Sequence, residues 1–168
     1  MMLGRRRPMQ AQTQAENDVQ AALEAMFDHA LLFHGYTASM RDYELVVHEH
    51  GGAHGTAATR RYLFRYCVEA DVSTSLPWSV WQRSLDDRLL DPEPEVDGYV
   101  WGVRWQGLYP GAQLVVPSAR AALWTDAAGS AFREVRIEAG AHEITLVFSE
   151  LAVIDIASGY APFTVPGA

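Results

Sequence analysis

Three histidines, His48, His50 and His54, raise the question of chemistry first, because imidazole is a common ligand of zinc and related metals. His48 and His50 project to one side of an extended chain, and a loop bearing Gly51, Gly52 and Gly55 can bring His54 round to them. Three His without Cys match no specific zinc spacing, and His beside glycines is ordinary in a solvated turn, so no metal or cofactor is assigned. Cys67 is a second candidate. Arg65 and Glu69 are expected to flank it on one sheet face, and a nearby guanidinium lowers a thiol pKa and makes the sulfur nucleophilic. A lone Cys within an apolar alternation more often packs as a small hydrophobe, and nothing in the spacing sets a His base beside it.

The carboxylates Asp86, Asp87, Asp91, Glu93, Glu95 and Asp97 can be read as acid–base pairs or as a calcium loop. Pro92 and Pro94 interrupt them and the alternation of a calcium-binding loop is missing, so a solvated acidic loop is the simpler reading. Gly98, Gly102 and Gly107 do not feed a helix N-terminus, which a phosphate cradle requires. Tyr99, Trp101 and Trp105, with Arg104 as an anion anchor, define the one small-ligand alternative, a Trp/Arg-lined cleft around residues 99–109. No Ser sits in a nucleophile elbow, so no catalytic residue is assigned.

The elements that must position these residues follow from hydrophobic period. Val19, Leu23, Met26, Phe27, Ala30 and Leu31 form one stripe at helical spacing, predicting a helix over 16–33. Tyr43, Leu45 and Val47 alternate with polar residues, as do Tyr62, Phe64, Tyr66, Val68, Ala70 and Val72, predicting two strands paired as a hairpin. Pro77–Leu85 reads as a short helix, Tyr99–Trp105 as a strand, and Gln113–Val116 as another. Ser118 and Gly129 are the expected caps of a helix over 119–128. Val135 and Ile137 begin a closing meander that turns at Gly140 and Ala141 and continues apolar from Ile144 to Ile156. The sum is an α+β fold: a mainly antiparallel sheet with about three helices packed on one face. Residues 1–14 read as a disordered leader and 15–168 as a single domain.

Composition narrows the partners. The chain has 168 residues and a net charge of −8, more acidic still once Arg5, Arg6 and Arg7 are set aside. Such a body repels phosphate backbones and anionic lipid, which argues against nucleic acid and membrane surfaces and favours a basic protein partner. No run reaches the ~18 apolar residues of a spanning helix, and the leader lacks the apolar stretch of a secretory signal. With a single Cys, the expected compartment is the cytoplasm. Arg65, Glu69, Arg104, Gln106 and Arg136 fall on the polar sides of their strands and are expected to share one charged binding face.

Six segments carry a family likeness: Ala30–Tyr36, Met40–His48, Arg61–Cys67, Ser84–Arg88, Gly98–Gly107 and Gly159–Val165. Together they resemble the YxiG-like domain family of small bacterial proteins, over residues 28–165. The resemblance implies no activity, cofactor or catalytic residue. The expected function is therefore a non-enzymatic protein-binding module, of the immunity or adaptor type, with the Trp/Arg-lined cleft as the alternative.

Overall fold

The stripe that begins at Val19 holds its helical spacing only as far as Met26 and Phe27. Beyond them the run Ala30–Phe33 is continuously apolar and suits a strand equally well. The computed structural model describes residues 7–49, 58–75, 78 and 106–165. Helix α1 spans Arg7–Glu24 and so takes in residues 7–14, placed in the leader by sequence. It ends in a turn where Asp28 adopts a left-handed φ of 60° and donates its N–H to Leu108 O. The chain then re-enters as strand β1, Ala30–Tyr36, so the helix expected over 16–33 is cut short and its second half is sheet.

β2 (Tyr43–Glu49) pairs with β1 and with β3 (Ala58–Arg65), both antiparallel. The β2–β3 hairpin is the one its alternation predicts. The long strand expected from Tyr62 to Val72 breaks at Tyr66, whose φ of 52° turns the chain. β4 (Glu69–Thr74) therefore belongs to a different sheet, and the inward side switches at the turn: Cys67 is buried while Tyr66 and Val72 are exposed. After β5 (Gln106–Gly107) and β6 (Gly111–Leu114) comes helix α2, Ala119–Ala128. Its caps are those read from sequence, since Ser118 accepts the Ala121 N–H and Gly129 closes it at φ 68°. β7 (Arg133–Glu138), β8 (His142–Phe148) and β9 (Glu150–Asp155) complete the described strands.

Two antiparallel sheets result, ordered β5-β1-β2-β3-β9 and β4-β8-β7-β6. Nine strands and two helices among the described residues overturn the expectation of an α+β sheet with about three helices on one face. The reason is physical: the apolar positions of both sheets converge on one core. Leu45, Val47, Tyr62 and Phe64 from the first sheet pack with Val135, Ile137, Ile144, Leu146 and Phe148 from the second. The Phe64 and Phe148 rings meet edge to face at 4.9 Å. The chain changes sheet twice in this region, at Tyr66–Val68 and at Ser149. Among the described residues no helix is long and apolar enough to cross a membrane. The helix expected over Pro77–Leu85 (Trp78 apart), the acidic loop and the strand Tyr99–Trp105 lie outside the described residues.

Candidate functional site

A sheet edge presents unpaired backbone donors and acceptors, so a fold must block it or use it. Among the described residues there are four edges to account for. β5 is described at Gln106–Gly107, beside β1. β6 is covered by α1, whose Gln20 side chain accepts the Leu114 N–H at 3.2 Å. β4 carries Glu69 and Asp71 within the strand, and Arg120 of α2 reaches over to both. Among the described residues β9 has no cover, and it carries no internal charge: between Glu150 and Asp155 lie Leu151, Ala152, Val153 and Ile154. Among the described residues nothing pairs with its outer side, and Val153 and Ile154 are each 41% exposed.

The β3–β9 ladder fixes which groups face outward. Ile156 N–H donates to Thr59 O at 3.0 Å, and with an antiparallel period of two the amides of Leu151, Val153 and Asp155 then point away from β3. Both ends of the strand are tied to β3 through charge. Arg60 Nε donates to Asp155 Oδ1 at 2.9 Å, and Arg65 Nη1 to Glu150 Oε2 at 2.9 Å. The carboxylates are the more exposed partners, at 81% and 56%.

Glu150 also walls an open hollow of about 630 Å³ lined by Met40, Arg41, Tyr66, Cys67 and Phe132. Met40 and Tyr66 both hold left-handed backbone, at φ 57° and 52°, a conformation that persists in large residues only where contacts fix it. Those contacts are present. Tyr66 N–H donates to Asp42 Oδ1 at 2.9 Å, and Cys67 N–H to Arg41 O at 2.9 Å. The guanidinium carbons of Arg41 and Arg65 lie 4.7 and 5.5 Å from the Tyr66 ring centre. Arg41 grips both oxygens of Asp42, and these bonds hold its carboxyl below the usual carboxylate range. The hollow thus displays Met, Tyr and Arg, the side chains that dominate protein interfaces.

Three further polar clusters are present. His34 Nδ1 meets Tyr43 Oη at 2.7 Å, and its Nε2 meets His142 Nδ1 at 3.1 Å. Burial first, and then His142, lower the His34 pKa to about 4. Glu44 is fully buried on β2, where its Oε2 accepts from Arg61 and from Tyr160 Oη while its Oε1 has no partner among the described residues. On the second sheet Arg120 joins Glu69, Asp71 and Glu134, and the Trp124 indole N–H donates to Glu69.

The residues singled out by sequence do not assemble. Arg65 is engaged with Glu150 on the five-stranded sheet, whereas Glu69 and Arg136 lie on the four-stranded one, so the single charged face is divided between two sheets. Arg136 bridges Glu138 and Glu143 at 3.1 and 3.0 Å. Gln106 Oε1 accepts the Ala141 N–H and so ties the two sheets together. Arg104, Trp101 and Trp105 lie outside the described residues, as do His50 and His54. His48 Nδ1 meets Thr59 Oγ1 at 3.0 Å, and no group of three His, Cys, Asp or Glu able to hold a metal occurs among the described residues. Cys67 donates to Glu69 O, and burial pushes its thiol up to about 12, the opposite of an activated nucleophile. Sequence reading missed β9 because Ile144–Ile156 is one apolar run. Its only mark is the pair Ser149–Glu150.

The family model described as YxiG-like protein matches residues 15–166. No curated protein and no solved structure matches the chain.

Proposed function

This chain belongs to the YxiG-like protein family, and we propose that it is a non-enzymatic protein-binding module that holds its partner along the outer edge of β9. The observation that carries this reading is the contrast among the edges: β6 is covered and β4 charged, whereas among the described residues β9 is unpaired on its outer side, with apolar side chains half in water. A strand added there completes the backbone hydrogen bonds, and the Met40–Tyr66 hollow beside Glu150 offers a place for a side chain. Such a module acts by occupying another protein's surface, as an immunity or adaptor protein does. Its lone, buried thiol suits the reducing cytoplasm.

Capture from an extract of the source cell, using the intact chain and a Val153→Pro variant, tests the reading. Proline at an outward-facing amide of an edge strand leaves the β3–β9 ladder bonded but removes a donor that an added strand needs. The intact chain is expected to retain a stoichiometric partner that Val153→Pro loses. Val153→Lys, which keeps the amide but charges the edge, is expected to weaken retention as well. Undiminished retention by both folded variants would overturn the proposal.

A further inference from the structure

We infer that the strand docking on β9 carries a basic residue at each end with apolar residues between, and that a second copy of this chain is not the occupant. The inference rests on the reading of β9 as the docking edge and adds the chemistry of the partner. β9 has an acid at each end and none between, Glu150 and Asp155 around Leu151–Ile154. In an antiparallel pairing residues directly opposite one another interact, and like charges there are unfavourable. A second copy of β9, Glu150–Asp155, carries no basic residue to set against either acid, so it does not complement this edge. The same arrangement favours a partner with cations at both ends, and it does so in either strand direction.

The arginines of β3 do not remove this preference. Arg60 and Arg65 approach the carboxylates from the inner side of the ladder, leaving Asp155 81% and Glu150 56% exposed, and exposed ion pairs are weak enough for a second cation to share the acid. Arg60 is itself divided between Asp155 and Glu49. A net charge of −8 on the chain adds a long-range pull on a basic partner.

Two capped synthetic peptides, Arg-Val-Thr-Val-Thr-Arg and Glu-Val-Thr-Val-Thr-Glu, supply the test by fluorescence anisotropy with the full chain at low salt. The Arg-ended peptide is expected to bind about tenfold or more tightly than the Glu-ended one. A Glu150→Gln, Asp155→Asn double variant is expected to level the two, and Val153→Pro to abolish binding of both. Failure of the Arg-ended peptide to bind, or equal binding of the two, overturns the inference. A light-scattering dimer that Val153→Pro dissolves overturns the exclusion of a second copy. Binding that prefers the Arg-ended peptide yet ignores Val153→Pro instead sinks the edge itself, which separates the two failures.

Discussion

His34 Nε2 of β1 lies 3.1 Å from His142 Nδ1 of β8, so the two sheets meet at their rim through a pair of imidazoles. One N–H can serve that contact only while at least one of the rings is neutral on the facing side. Tyr43 Oη occupies the other nitrogen of His34 at 2.7 Å. The ring is thus half-buried between two partners, and that burial is why its proton is lost early.

Acid should therefore weaken the fold through this contact. His34 binds its extra proton with a pKa of about 4 when folded and 6.5 when unfolded, so between those values the unfolded state holds more protons. Stability from this group is complete above about 6.5, declines as pH falls and is gone below about 4. The ceiling is ~1.4 kcal/mol per pH unit inside that window, reduced by the solvent that reaches the ring. Urea denaturation at neutral pH and near pH 5 is expected to show a larger loss for the intact chain than for His34→Gln, which keeps a polar group beside Tyr43 but cannot titrate. Equal losses would remove His34 as the cause.

Cys67 makes a contrasting prediction, because its burial concerns reactivity. With the thiol raised to about 12, its thiolate fraction at mild alkaline pH is about a thousandfold below that of a free Cys near 8.5. A disulfide reagent should modify the folded chain roughly three orders of magnitude more slowly than the urea-unfolded chain. Comparable rates in the two states would show that the thiol is open to water and activated.

How far these features can be read from sequence depends on whether the cause is local. Ser118 and Gly129 cap α2 because their own side chain and backbone freedom do the work, so both were legible. The β2–β3 hairpin was legible for the same reason, since its alternation is a property of each strand alone. Tyr66 was not: a large residue in left-handed backbone is held by Asp42, 24 positions earlier, and no local pattern announces that bond. The run Ala30–Phe33 satisfies helix and strand templates together, and the choice between them was made by pairing with β2. At Ser149 the chain leaves one sheet for the other where its N–H donates to Arg65 O, again a long-range event. The candidate edge inherits that opacity, because β9 is distinguished from β8 only by which strand it joins.

Glu44 offers the sharpest test of the packing on the five-stranded sheet. Its carboxylate is wholly buried, with Arg61 and Tyr160 Oη both on Oε2 and, among the described residues, nothing on Oε1. A buried charge left without its cation is costly, on the order of 3 kcal/mol or more, whereas losing one hydrogen bond to a charged acceptor costs about 1–2 kcal/mol. Arg61→Met is therefore expected to lower the urea midpoint more than Tyr160→Phe. Adding Glu44→Gln to Arg61→Met should recover part of the loss, because the amide no longer needs a counter-ion. The Tyr160→Phe change should also speed hydrogen exchange in the segment after β9, which Tyr160 fastens to the sheet and which the Arg61 guanidinium covers at 5.6 Å from the ring centre. If Arg61→Met proves no worse than Tyr160→Phe, or if Glu44→Gln deepens its defect, then Arg61 is not what balances the buried carboxylate.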